Sequence, residues 1–342
     1  MKRIYWLLLV VFIVACSSEN VEETGDKFQS IVAELRAPWD IEHSESTFYI
    51  SERAGSIVSW QEGEGKERLP VQTDRDILQR GEGGLLGLRL HPDFATNARA
   101  FAYHTYEENG AIQNRVIVLE KQSDTWKEVD VILEGIPGAR FHNGGRLEVG
   151  PDEKLYVTTG DALQESIAQD RGQLAGKILR MNLDGSVPAD NPSEGSHVYS
   201  YGHRNPQGIA WSDSGEMFAS EHGPDAHDEI NQIKAGENYG WPDAVGENHG
   251  DSVMAPIFQT GDNTWAPSGI VVHDDRLFIA TLRGTALRTL LFSGEDPQVV
   301  TNSYGRIRDV EKIDDEVYFI TNNTDGRGNP ADGDDKLVRF SP

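Results

Sequence analysis

The chain has 342 residues, with 31 Lys+Arg against 56 Asp+Glu, so its formal charge is −25. A surface this acidic repels polyanions, which argues against nucleic acid as a partner. Hydrophobic residues make up 37%, and 35 Gly punctuate apolar runs of strand length, so the chain is not intrinsically disordered.

Lys2 and Arg3 precede an apolar run over residues 4–15, and Cys16 follows at once. The run is too short to span a bilayer and has the layout of a secretory signal. Residues 13–16, Ile-Val-Ala-Cys, resemble a bacterial lipobox, in which small residues precede a cysteine that is acylated. The expectation is a lipoprotein signal peptide over 1–15, a lipidated Cys16, a flexible tether over 16–27 and one domain over 28–342. An ordinary signal peptide with an incidental cysteine is the alternative. Because Cys16 is the only cysteine, the mature chain has no disulfide, no Cys-ligated zinc, no Fe–S cluster and no c-type haem. Any redox chemistry would need a non-covalent cofactor and an outside electron acceptor.

Beyond the tether, one pattern recurs six times: an apolar strand, an acidic or Gly turn, a strand rich in Phe, Tyr and Ile, a break, and a third strand. The copies occupy 39–60, 86–120, 146–181, 208–233, 269–292 and 307–340. Turns such as Pro151-Asp152, Asp213-Ser214-Gly215 and Asp274-Asp275 argue antiparallel pairing, and helical periodicity is almost absent. Six such units predict an all-β fold, a six-bladed β-propeller of four-stranded antiparallel blades. Residues 28–35 have no partners of their own and are expected to supply the outer strand of the last blade, closing the ring. A pair of β-sandwiches is the rival, but no linker divides the chain midway.

In propellers the connections converge at one mouth of the central channel. Five here are rich in reactive groups: 80–87, 140–146, 201–208, 221–229 and 304–309. Arg204, Arg283, Arg306 and Arg308 stand on or beside such loops. Guanidinium forks suit planar carboxylates, so the channel is expected to hold a polyanionic small ligand.

At these residues the chain resembles the soluble, PQQ-dependent aldose sugar dehydrogenase (quinoprotein glucose dehydrogenase) family, from about Trp39 to the C-terminus. The markers are Glu-Gly-Gly-Leu-Leu-Gly at 82–87, His-Asn-Gly-Gly-Arg at 142–146 and Gly-His-Arg-Asn-Pro-Gln-Gly at 202–208. Glu-His-Gly-Pro-Asp-Ala-His-Asp-Glu-Ile-Asn at 221–231 and Arg-Ile-Arg-Asp at 306–309 complete the set.

The resemblance implies oxidation of the C1 hydroxyl of aldoses to lactones, with electrons passed to an external acceptor. It implies that His142 is the base that removes the anomeric hydroxyl proton, a task suited to a neutral imidazole. Gly144 and Gly145 beside it permit close backbone approach. Arg204 and Asn205 match the pair beside the quinone carbonyls, where a fixed cation stabilises developing charge. Gly223 and Pro224 match positions whose backbone carbonyls bind Ca²⁺. Asp228 and Glu229 are read as supports for the loop or for a second cation, and Asp225 as solvated. Arg283, Arg306 and Arg308 match contacts to PQQ carboxylates; two residues apart on an extended segment, Arg306 and Arg308 are expected to grip one ligand together. Glu82, Asp161, Thr264 and Trp265 are further candidate neighbours of the cofactor.

The chain departs from the best-known glucose-oxidising members at three of these places. Phe141 stands where they carry an acid, Glu82 where they carry Gln, and Arg283 where they carry Lys. The Asp/Gly-rich segment 324–335 lacks the ligand spacing of a calcium loop and is read as a solvated connection. Two other readings stay open at this stage, a calcium-dependent lactonase-type hydrolase and a non-catalytic binding propeller.

Overall fold

The computed structural model describes residues 27–246, 250 and 252–342. The signal segment, Cys16 and the tether as far as residue 26 lie outside the described residues. The described residues form 24 strands, from the two-residue Phe258–Gln259 to the twelve-residue Trp126–Pro137. The helical pieces described are one α-turn at Phe94–Asn97 and one 3₁₀ turn at Glu165–Gln169.

The strands make six four-stranded antiparallel blades. The first strand of the chain, β1 (Phe28–Val32), belongs to the last blade. Blade 1 holds β2 (Pro38–Ser44), β3 (Thr47–Glu52), β4 (Ser56–Gln61) and β5 (Gly65–Gln72). Blade 2 holds β6 (Leu85–Leu90), β7 (Arg99–Glu108), β8 (Ala111–Lys121) and β9 (Trp126–Pro137). Blade 3 runs through β10 (Leu147–Val149), β11 (Leu155–Thr159), β12 (Lys177–Met181) and β13 (Val198–Tyr201). Blade 4 has β14 (Pro206–Trp211), β15 (Met217–Glu221), β16 (Glu229–Ile233) and β17 (Phe258–Gln259). Blade 5 has β18 (Pro267–His273), β19 (Arg276–Thr281), β20 (Ala286–Leu291) and β21 (Gln298–Thr301). Blade 6 has β22 (Ile307–Ile313), β23 (Glu316–Thr321), β24 (Leu337–Phe340) and, outermost, β1. A short parallel pairing of Val71 and Gln72 in β5 with Trp126 and Lys127 in β9 stitches the outer edges of blades 1 and 2 together.

The ring closes as the sequence predicts. β1 pairs antiparallel with β24, Phe28 opposite Phe340, and the two rings stack with centroids 4.7 Å apart. Such a pair adds about 0.5–1.5 kcal/mol beyond its buried area.

Both faces of every blade are covered by its neighbours, so apolar residues of alternating strands enter six hydrophobic clusters among the described residues, one at each blade interface. The cluster between blades 2 and 3 includes Phe101, Tyr103, Val116, Leu147, Val157 and Leu179, and that between blades 6 and 1 includes Ile41, Phe48, Ile50, Ile320 and Leu337. Burying each large side chain contributes about 1.5–3 kcal/mol.

The strands β2, β6, β10, β14, β18 and β22 stand round the axis, each against the next. They do not pair as one sheet, so their free backbone groups need other partners. Acidic side chains supply several. Asp40 Oδ2 accepts from Leu88 N at 2.8 Å, Glu42 Oε2 from Leu90 N at 2.9 Å, and Asp309 Oδ2 from Ile41 N at 2.9 Å. Buried Arg146 and half-buried Arg89 balance them: Arg146 pairs with Asp40 and with Asp309 at 2.9 Å, and Arg89 pairs with Glu42 and Glu148, both at 2.9 Å. The channel is therefore filled by a charged column below its mouth.

Candidate active site

The segments leading into the axial strands turn sharply. Five of the six carry a register shift at their first residues: Pro38/Asp40, Leu85/Leu88, Pro206/Gly208, Pro267/Ile270 and Ile307/Asp309. Bulges at strand starts re-aim side chains, and here they turn them toward one mouth. The result is a cavity of about 460 Å³ lined by Glu82, His142, Arg204, Thr264, Ala266 and Arg306 from those segments. Residues 222–225 and Asp228 of the β15–β16 connection, Leu282 and Arg283 of β19–β20, and Arg327 of β23–β24 complete the wall.

His142 sits in left-handed backbone, φ 60°, which aims its ring into the cavity. Its backbone N–H donates to Glu82 Oε2 at 3.1 Å. Its Nδ1 lies 2.8 Å from Asp161 Oδ1, which also accepts from Leu163 N at 2.9 Å. Asp161 Oδ2 accepts from the indole Nε1 of Trp241 at 2.9 Å. A carboxylate already holding those donors takes the proton on Nδ1 as a third, which leaves Nε2 as the acceptor. Asp161 thus stands behind the histidine and not in the cavity wall. Gly144, at φ 61°, is needed because a Cβ there would lie 2.6 Å from the Thr158 carbonyl oxygen.

Glu82 is ionised. Burial alone would raise its pKa, but His222, the Arg327 guanidinium at 2.7 Å and the His142 N–H together hold it at about 2.

Arg204 lies with its guanidinium 5.3 Å from the Trp241 ring centroid and donates to the His222 and Pro224 carbonyls at 3.2 and 3.4 Å. Its backbone N–H donates to Glu221. Asn205 is fully buried and accepts from Gly144 N at 3.0 Å, fastening the histidine segment to blade 4. Asp228 ties two loops: Oδ1 accepts from Gly223 N at 2.9 Å, and Oδ2 from Thr264 Oγ1, Trp265 N and Ala266 N at 3.1, 2.6 and 2.8 Å. Trp265 itself stacks on Phe258 and carries Arg288, so its ring faces away from the lining residues. Glu229 accepts from Gly246 N at 3.0 Å, and burial followed by the nearby Glu221 pushes its pKa up to about 7.

Arg306 and Arg308 do not share a face. The bulge between Ile307 and Asp309 breaks the two-residue alternation. Arg306 lines the cavity and pairs with Asp325 at 2.8 Å. Arg308 is buried beside Trp39 and donates to Gln207 Oε1 at 2.8 Å and Ser268 Oγ at 3.3 Å, with no ion pair among the described residues. Burial, then Arg306, pull its pKa down to about 9, so it stays charged near neutrality.

Segment 324–335 is mostly exposed, as expected of a solvated connection, but three of its side chains turn to the cavity or the interior. Asp325 and Asp335 are buried, and Arg327 reaches the cavity. His222 also lines the cavity, held neutral by burial, which lowers its pKa to about 4.

Four buried polar atoms around this cavity have no partner among the described residues: Arg204 Nε, Asn205 Nδ2, His222 Nε2 and Arg308 Nε. Unmet donors beside a buried cation lacking a carboxylate call for an anionic ligand rich in acceptor oxygens. A tricarboxylate quinone fits that demand. Among the described residues no group of three or more His, Cys, Asp or Glu is arranged to hold a metal ion, and Gly223 and Pro224 line the cavity.

The site is thus an oriented imidazole set among arginines at the mouth of a six-bladed propeller. The glucose/sorbosone dehydrogenase family profile matches residues 35–337. Quinoprotein glucose dehydrogenase B of Acinetobacter calcoaceticus is 36% identical over 234 residues, spanning 59% of this chain and 49% of that protein. Aldose sugar dehydrogenase YliI of Escherichia coli is 31% identical, spanning 96% of this chain and 94% of that protein. The structure of the PQQ-bound aldose sugar dehydrogenase of Streptomyces coelicolor superposes with a TM-score of 0.86 at 36% identity, covering 92% of this chain and 96% of that one. The chain belongs to the glucose/sorbosone dehydrogenase family of PQQ-dependent quinoprotein sugar dehydrogenases.

Proposed function

We propose that this protein oxidises the C1 hydroxyl of aldoses to lactones with PQQ and Ca²⁺, passing two electrons to an external acceptor. The observation that carries the reading is Arg308: a buried guanidinium without a carboxylate, among unmet polar atoms, next to a cavity into which an oriented histidine points. When bound, PQQ supplies a quinone that accepts hydride from C1. Arg204, Asn205, Arg283, Arg306 and Arg308 would hold it, with Thr264 beside them. The carbonyls of Gly223 and Pro224 would hold Ca²⁺, whose oxygen preference they satisfy and which would polarise a quinone oxygen.

The protein's own residues do the rest. His142 Nε2 takes the proton from the anomeric hydroxyl, while Asp161 fixes the ring and stabilises the imidazolium that forms. Arg204, already held by the His222 and Pro224 carbonyls, would stabilise negative charge developing on the oxidant without reorganisation.

Reconstitution of the purified chain with PQQ and Ca²⁺, read as dye reduction over a panel of aldoses, tests this. Saturable activity abolished by EDTA supports it, and His142→Gln should bind PQQ yet turn over about 10²–10⁴-fold more slowly. No dye reduction with any aldose would sink the reading.

The location follows from the first residues. Cys16 is acylated in this reading, and the chain from 16 to 27 tethers the propeller outside the cytoplasm. Among the described residues no helix is long and apolar enough to cross a membrane. Incorporation of labelled fatty acid, lost in Cys16→Ser, checks the anchor.

A further inference from the structure

The wall beside His142 presents guanidinium groups and no free carboxylate. Arg140 and Arg327 both lie against the Phe141 ring, each 5.3 Å from its centroid. Phe141 immediately precedes His142 in the chain, and Arg327 lines the same cavity as the histidine. Glu82, the acid of the same wall, is fully engaged, with Oε1 on Arg327 at 2.7 Å and Oε2 on the His142 N–H at 3.1 Å. Arg140 is exposed and makes no ion pair among the described residues, and Arg327 keeps 44% of its side chain exposed. Asp225, the exposed acid among the lining residues, comes from a different connection, β15–β16. In a chain of net charge −25, two guanidiniums stacked on one aromatic ring, one of them lining the cavity and the other exposed beside the histidine segment, run against the general field.

Guanidinium groups are donors only. A neutral sugar hydroxyl placed against them satisfies one donor and leaves its own hydrogen without an acceptor. A carboxylate or phosphate meets donors alone and is matched completely. Resting on the sugar-oxidising reading above, we propose that the Arg140–Phe141–Arg327 wall selects aldoses that carry an anionic group remote from C1. The two sources of that chemistry are a C6 carboxylate, as in uronic acids, and a sugar phosphate.

The test uses the PQQ- and Ca²⁺-loaded full chain and compares kcat/KM for glucose, glucuronate, galacturonate and glucose 6-phosphate. At low ionic strength at least one anionic aldose should exceed glucose by about tenfold, the size of one charge-assisted hydrogen bond at a half-exposed site, and added salt should erase the preference. Arg140→Gln and Arg327→Gln should each lower the ratio of anionic to neutral kcat/KM several-fold. Because a ratio does not depend on the fraction of folded enzyme, a variant that folds poorly still reports. Preference for the uronates over the phosphate, or the reverse, identifies the source. Oxidation of glucose with no preference for either anion overturns this inference and leaves the sugar-oxidising reading intact. A ratio unmoved by both substitutions also overturns it. Oxidation of no aldose at all overturns both.

Discussion

Asp161 and His142 meet at 2.8 Å, Oδ1 to Nδ1, although His142 stands in the β9–β10 connection and Asp161 in the β11–β12 connection. The contact depends on two further donors, Leu163 N and Trp241 Nε1, that leave the carboxylate one way to face. Asp161→Asn would let an amide N–H₂ face Nδ1 and favour the tautomer that carries its proton on Nε2. We expect kcat to fall about 100-fold with a smaller change in KM, measured by steady-state dye reduction with the loaded enzyme.

Gly160 lies directly behind this pair. A Cβ at that position would press on the His142 carbonyl. Gly160→Ala should displace the imidazole and cost about 1–3 kcal/mol of stability, read from the urea midpoint alongside activity.

Arg308 has a different balance. Its buried charge has neutral partners, so Arg308→Met should leave the apoprotein as stable as the parent, or more so by about 1 kcal/mol. The same change should weaken PQQ binding at least tenfold in an absorbance titration. Loss of stability with unchanged affinity would assign Arg308 to the scaffold alone.

Glu148 makes stability depend on pH. Burial, opposed by Arg89 and reinforced by Glu42, raises its pKa from 4.5 to about 7. The folded state therefore holds a proton that the unfolded state has released between those values. Stability is greatest below about pH 4.5 as far as this group is concerned, and is lost as pH rises through 7. Arg146 and Asp309 complete its charged surroundings. Glu148→Gln should flatten the decline in urea midpoint between pH 5 and 8.

Three strands of each blade were legible in the sequence because residues buried on both blade faces leave dense apolar runs, as in Leu155–Thr159 and Arg276–Thr281. The outer strands were not. Gly65–Gln72 carries Lys, Glu and Arg on a half-exposed edge, and Phe258–Gln259 is two residues long, so neither has a readable period. The closing strand Phe28–Val32 could be foreseen because an orphan segment must pair somewhere. At the cavity, His142, Glu82, Arg204, Arg283 and Arg306 come together from motifs that the sequence displays. Arg327 and Asp325 do not announce themselves, since a loop rich in Asp and Gly looks the same whether it folds inward or into solvent. That Arg308 is buried among neutral partners while Arg306 lines the cavity was not legible, because side-chain alternation fails at the bulge between Ile307 and Asp309.

The pairing of β1 with β24 has a consequence for the order of assembly. Blade 6 cannot be completed until Phe340 has been synthesised, and that blade supplies Arg306, Arg308 and Arg327. A nascent chain emerging from the ribosome, or threading through a membrane pore, therefore carries its histidine and its first five blades without the final basic wall. Acquisition of the redox group should be a late, post-translational event that follows circularisation of the domain.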